Sequence, residues 1–239
     1  MGHISTQDTL GQLVADRPGR SRVFEQYGLD YCCGGKKTLE AASKEKKIEI
    51  KDLLLALGES DTARSLPSID WTIAPLGALA DHIANTHHAY LRGALPRLTL
   101  LTEKVREAHG KRHPELVELA STFAAFRSEL ENHMIKEDQV LFPLIKRLES
   151  AEPLPAFPRG SVNSAIEVLE AEHEGAGEAL ETMRALTHNF ITPADVCNTY
   201  RALMDALVEL EADMHRHVHK ENSILFPRAS ALEAKCDAK

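Results

Sequence analysis

One segment of this chain occurs twice in matching register. His133-Met134-Ile135-Lys136-Glu137-Asp138-Gln139-Val140-Leu141-Phe142-Pro143 returns as His217-Val218-His219-Lys220-Glu221-Asn222-Ser223-Ile224-Leu225-Phe226-Pro227. His, Lys, Glu, Leu, Phe and Pro coincide. In each copy a His and a Glu stand four residues apart. On a helix they share one face, about 6 Å from each other. Upstream of each copy stands an acid-His pair, Asp81-His82 before the first and Glu172-His173 before the second. The repeat therefore reads as two helical hairpins, each carrying acid-His on one helix and His-x-x-x-Glu on the next.

The surrounding sequence supports long helices. Ala, Leu and Glu recur, and aromatic residues make up only 5% of the chain, which favours helix over sheet. Four extended helical patterns are predicted. The first runs from about Ala74 to His109, with Gly93 and Pro96 as possible kink points and Gly110 as a stop. The second starts at Pro114, a favourable first-turn residue, and runs to Leu148. A loop containing Pro153, Pro155 and Pro158 follows. The third spans Ser161 to Phe190, and the fourth Pro193 to Leu232. Four such helices on short connections are satisfied by an all-α, antiparallel up-down four-helix bundle.

Ahead of the bundle lies a small helical unit. Leu10, Leu13 and Val14 have helical spacing with Thr9 as N-cap, and Val23, Phe24 and Tyr27 repeat it. Thr38–Ala42 and Ile50–Leu57 read as two further short helices. The expected organisation is a small helical domain at residues 1–57, a linker at 58–71 rich in small polar residues, and the bundle at 72–239. The first unit is marginal as an independent domain.

The bundle would aim His82, His133, His173 and His217 inward, with Glu137 and Glu221. Imidazole with carboxylate suits Fe(II), Mn or Zn. Two ions sharing two bridging glutamates, with solvent completing their shells, would make a di-iron or di-manganese centre. The alternative is that these groups only hydrogen-bond one another. That meets the cost of burying four imidazoles and two carboxylates without a cation. Of the 12 histidines, His87 and His88 follow His82 by more than a turn; they could line the site or an access route, and a packing or surface role is the favoured expectation. His215 and His219 face away from His217 and are expected at the surface or around the site.

Charge and targeting narrow the classes further. A formal net charge of −8 argues against a nucleic-acid binder and against adhesion to an anionic membrane. The first residues lack the basic start and apolar stretch of a signal peptide, and no apolar run reaches the length of a membrane span. Four cysteines do not make a disulfide framework in a chain this long. A cytoplasmic location is expected.

Two of those cysteines, Cys32 and Cys33, stand in Tyr27-Gly28-Leu29-Asp30-Tyr31-Cys32-Cys33-Gly34-Gly35. The glycines permit tight backbone geometry, and a helix starting near Thr38 could lower a thiol pKa. The pair reads as redox or iron-transfer thiols, or else as two small buried apolar residues.

With this segment and the repeated bundle motif together, the sequence resembles the hemerythrin-like superfamily. Within it, the sequence is similar to the repair of iron centres (RIC) family, over nearly the whole chain. The resemblance implies a carboxylate-bridged pair of iron ions held by His82, His133, Glu137, His173, His217 and Glu221. It implies repair of iron–sulfur clusters damaged by nitrosative or oxidative stress, through donation of ferrous iron. Damaged iron–sulfur proteins would be the partners, nitric oxide or oxygen the small ligands, and a homodimer the assembly. Reduction of nitric oxide to nitrous oxide at the iron pair is the enzymatic alternative, and an oxygen or iron sensor the binding-module one. The sequence departs from oxygen-carrying hemerythrins at Gly177, where those have a His, and at Asn222, where they have an Asp. Fewer ligands leave more open coordination, which suits a reactive or exchangeable iron pair.

Overall fold

The computed structural model describes residues 4–62, 69–150 and 161–237. Residues 63–68 of the expected linker, with Pro67, and Pro153, Pro155 and Pro158 of the expected loop lie outside the described residues. Among the described residues the chain is all-α, apart from one isolated antiparallel bridge between Thr9 and Thr38. By their internal contacts they group into two compact units. One comprises Met1–Ala80, Ile145–Leu154 and His215–Lys239, the other Asp81–Leu144 and Pro155–Met214.

In the first unit, α1 (Leu10–Asp16), α2 (Ser21–Gln26), α3 (Leu39–Glu45) and α4 (Ile50–Thr62) enclose an apolar core. Thr9 caps α1 in a reciprocal box with Gln12, and Thr38 caps α3. Both satisfy N–H groups that the first turn leaves without helical partners. Phe24, Leu39, Leu53 and Leu57 are fully buried, each contributing about 2 kcal/mol. The last of these helices continues to Thr62, past the Leu57 end read from the sequence. The added turn carries Asp61, which accepts from buried Arg20 through Nε (2.9 Å) and Nη2 (2.6 Å). Asp61→Ala leaves that guanidinium buried and uncompensated. A loss of about 3 kcal/mol in urea unfolding is expected, and a loss below about 0.5 kcal/mol would contradict the pairing.

The second unit holds the bundle. It contains α6 (Ala89–His109), α7 (Glu115–Lys136), α9 (Val162–Leu186) and most of α10 (Asn198–Lys220). Their neighbours close a ring. Arg127 on α7 donates to Thr99 on α6 at 2.8 Å, Lys136 on α7 pairs with Glu172 on α9, and Arg184 on α9 pairs with Glu211 on α10. His109, at the end of α6, packs edge-to-face on Tyr200 near the start of α10. His87, before α6, lies 2.9 Å from Asp213 late in α10. Those two contacts make α6 and α10 antiparallel. The helix lengths follow the apolar spacing of the sequence. Pro96 sits inside α6 without ending it.

The largest departure is at the start of α10, at Asn198 rather than near Pro193. The preceding helix ends at Leu186, Thr187 Oγ1 accepts from Phe190 N–H, and His188, Asn189 and Phe190 all take positive φ. That turn reverses the chain, and Asp195 is drawn to Arg112 at 3.4 Å. Residues 193–197 are thereby kept out of the helix.

Among the described residues three π turns interrupt the long helices. One at Ala84–His88 separates α5 (Leu76–Ile83) from α6. One at Glu137–Leu141 separates α7 from α8 (Phe142–Glu149), and one at Glu221–Leu225 separates α10 from α11 (Phe226–Asp237). Such turns bond residue i to i+5 and often mark functional positions. Two of the three begin at the glutamates of the repeated motif.

Candidate metal centre

In the second unit the site is built around Glu137, which is fully buried at the first residue of its π turn. His133 Nε2 lies 3.2 Å from Glu137 Oε2, and His88 Nε2 lies 3.3 Å from the same oxygen. His173 Nε2 is 3.0 Å from His133 Nε2. The ligand atoms of His133, Glu137 and His173 all fall within 4.8 Å of one another. All four residues are buried.

The outer nitrogens of two of these rings show which way they face electronically. His133 Nδ1 sits 2.9 Å from Glu172 Oε2, and His88 Nδ1 sits 2.9 Å from Asp138 Oδ1. An ionised carboxylate only accepts, so each Nδ1 carries the proton and each Nε2 presents a lone pair to the interior. Glu172 and Asp138 are in turn held by Lys136 and Arg92. Burial pushes the Glu172 carboxyl up, but hydrogen bonds from Lys136 and His133 hold it below the usual carboxylate range. The interior thus gathers imidazole lone pairs around a buried carboxylate. Acceptors at 3.2–3.3 Å repel unless a cation lies among them. This donor set fits a borderline divalent metal.

The helix-one residue in this group is His88. His82 is half-buried, its Nδ1 lies 3.2 Å from Thr86 Oγ1, and it belongs to neither imidazole–carboxylate group among the described residues. The π turn is the reason. Its i→i+5 spacing stacks His88 over the core-facing Ile83 instead of continuing the 3.6-residue face on which His82 was read. His88 therefore escapes a reading by regular helical periodicity. His87 is likewise buried, against Asp213.

In the first unit, Glu221 opens the second repeat's π turn and is fully buried, with Oε1 2.9 Å from His217 Nε2. His215 and His219 pack edge-to-face on the Tyr31 ring, with centroids 6.0 and 5.5 Å away. His219 is buried rather than at the surface, and burial pushes its imidazole down to about 4, so it packs as a neutral ring.

Tyr31 leads directly into the cysteine pair. Asp30 organises this loop, accepting from the main-chain N–H groups of Cys32 (3.0 Å), Cys33 (3.0 Å) and Gly34 (2.7 Å). A Cβ on Gly35 would fall 2.6 Å from the Tyr31 carbonyl oxygen, so only glycine fits this close approach. Cys32 is buried, Cys33 is half-buried, and their sulfurs stand 4.0 Å apart. The Cys32 thiol donates to Asp30 Oδ1 at 3.0 Å. The hydrogen bond with Cys33, burial and the Asp30 charge all push its pKa well up. The expectation that a nearby helix N-terminus lowers a thiol pKa is corrected at Cys32, where the hydrogen bond with Cys33 and burial push it up.

A helical bundle with buried imidazoles facing a buried carboxylate defines a class, the cation-binding bundles. Residues 79–229 match the family model described as "Hemerythrin HHE cation binding domain". Residues 6–61 match ScdA_N, described as "Domain of Unknown function (DUF542)". The chain is 37% identical to the "Iron-sulfur cluster repair protein YtfE" of Enterobacter sp. (strain 638), over 94% of this chain and 97% of that one. It is 39% identical to the protein of that name from Edwardsiella ictaluri (strain 93-146), over 92% and 95% of the two chains. For the one from Escherichia coli O157:H7 the identity is 36%, over 94% and 97%. The chain belongs to this YtfE family of two-part proteins with a hemerythrin-type metal-binding bundle.

Asp138 and Glu172 have a measurable role in this geometry. Asp138→Asn or Glu172→Gln frees one imidazole to turn or change tautomer. A fall in metal affinity of about 10- to 100-fold is expected by competition with a chelator of known affinity. Unchanged affinity in both would count against carboxylate orientation of the rings.

Proposed function

We propose that this protein repairs iron–sulfur clusters, using a carboxylate-bridged pair of iron ions held by His88, His133, Glu137, His173, His217 and Glu221. The observation that carries the reading is the fully buried glutamate opening a π turn in each copy of the repeat, Glu137 and Glu221, each beside an imidazole four residues back. A bridge from each motif is what a two-metal site in a helical bundle requires. Metal supplies Lewis acidity and one-electron chemistry when bound. The chain's own contribution is to hold imidazole lone pairs inward, keep bulk water from the carboxylates, and leave coordination incomplete. Gly177 and Asn222 supply no ligand at the two places where an oxygen carrier has them.

Ferrous iron released from this site is the repair substrate in the proposal. Asp30, Cys32 and Cys33 bring ligand atoms within 4.8 Å of one another, which supports a transient stop for iron in transfer to a client cluster. The homodimer and the reducing cytoplasmic compartment belong to the same proposal. Four cysteines in a chain of this length do not make a disulfide framework, which supports the compartment. No helix among the described residues is long and apolar enough to cross a membrane.

The test is anaerobic. Iron-loaded protein is mixed with an iron–sulfur dehydratase damaged by nitric oxide, with equimolar free ferrous ion as control. Activity regained beyond the control is expected, and it should be lost in Cys32→Ala/Cys33→Ala while the iron content stays intact. No gain over free ferrous ion would overturn donation. Production of nitrous oxide from nitric oxide under reductant would then favour the enzymatic reading.

A further inference from the structure

We infer that Cys197 and His109 form a thiolate–imidazole pair that makes Cys197 a covalent docking site for low-molecular-weight disulfides, such as glutathione disulfide. The inference does not depend on the iron reading, because the pair lies at the end of the bundle away from Glu137. His109 closes α6 and Cys197 immediately precedes α10, while His87 and His88 stand before the opposite end of α6.

Three observations meet at this sulfur. Cys197 is exposed, so a disulfide can reach it. His109 Nε2 lies 3.2 Å from Cys197 Sγ. His109 is only 6% exposed, and its other ring nitrogen, Nδ1, is buried with no hydrogen-bond partner among the described residues. The ring is thus wedged against Tyr200 (5.6 Å) with its one engaged nitrogen on the sulfur. An imidazole nitrogen in contact with the sulfur can take up its proton, which favours the anionic form of the thiol.

Other charged groups face the pair from neighbouring segments, and they are committed elsewhere. His113 is held by Glu115 at 3.1 Å, and Asp195 by Arg112 at 3.4 Å. Burial, Glu115 and Asp195 push the Tyr200 phenol up, so it stays neutral. The His109 hydrogen bond, followed by the Tyr200 N–H, brings the Cys197 thiol down from 9.0 to about 7.

The chemistry balances without an outside oxidant beyond the disulfide itself. The Cys197 proton passes to His109 Nε2. The thiolate attacks one sulfur of the disulfide, a Cys197–sulfur bond forms, and the disulfide's own S–S bond breaks. The departing thiolate takes the proton back from His109. The products are one mixed disulfide on the protein and one free thiol, and excess thiol reverses the step.

The test uses the iron-loaded full chain with glutathione disulfide under anaerobic conditions, from about pH 5.5 to 9.5. Peptide mass mapping follows the adduct at Cys197 and at exposed Cys236. Adduct formation first at Cys197, with a half-maximal rate near pH 7, is expected. In His109→Gln the midpoint should move toward 9. At pH 7 the thiolate fraction then falls about fiftyfold while intrinsic nucleophilicity rises about eightfold, a net slowing of about sixfold. Cys197→Ser should abolish this adduct while leaving iron content and cluster repair unchanged. A wild-type midpoint above about 8.5, or modification of Cys236 ahead of Cys197, would overturn the inference without any folded His109 variant. An unmoved midpoint in folded His109→Gln would do the same.

Discussion

Glu137→Leu is expected to abolish tight iron binding and cluster repair and, at the same time, to raise the stability of the metal-free protein. Glu137 is fully buried, and the imidazoles of His88 and His133 present lone pairs to it. With metal present, the carboxylate would supply the negative charge that offsets the cation. Without metal it is a fully buried polar group, and replacing such a group by an apolar side chain of similar volume often stabilises a protein by about 1–4 kcal/mol. The two effects therefore have opposite signs in one variant. Glu221→Leu should behave alike, since it opens the second π turn with the same burial and a His217 nitrogen at 2.9 Å. Elemental analysis and the repair assay read the first effect, and thermal unfolding in chelator the second. Retained iron and repair in both variants would remove these glutamates from the site.

Stripping the metal should lower the melting temperature by about 10 °C. A ligand that binds only the folded state at a thousand times its dissociation constant stabilises by about 4 kcal/mol. For a chain of this size each kcal/mol is worth about 2–4 °C. The buried carboxylates make the metal-free state worse than an apolar core would be, so the shift should reverse fully when ferrous ion is restored. In Glu137→Leu it should shrink to a few degrees, because little metal is bound to remove. Identical melting of the loaded and stripped wild type would contradict a metal that completes the core.

Much of this was legible in the sequence, for a physical reason. Residues that meet at one point of a bundle must recur at helical spacing, and the repeated segment keeps His133, Glu137, His217 and Glu221 in that spacing. All four are buried, as is His173. The N-cap Thr9 was legible because capping is local. His88 was hidden because a π turn shifts the helical face, and no feature of Ala84-Asn85-Thr86-His87-His88 signals that shift to a 3.6-residue reading. The ring-orienting roles of Glu172 and Asp138 depend on contacts between helices, 39 and 50 residues apart in sequence. The contact of Cys197 with His109 is of the same kind, its partners 88 residues apart in sequence. The start of α10 was misplaced because Pro193 is a good first-turn residue by itself. The left-handed run His188–Phe190 and the pull of Arg112 on Asp195 decide otherwise.

The most direct measurement is an anaerobic titration of the metal-free protein with ferrous ion, followed by absorbance and confirmed by elemental analysis and by Mössbauer spectroscopy of the iron-57 form. A break at two ferrous ions per chain is expected, with both irons in oxygen- and nitrogen-rich sites, and with the break abolished in Glu137→Leu/Glu221→Leu. A break at one ion, or the same break in the double variant, would contradict a carboxylate-bridged pair as the working centre of this protein.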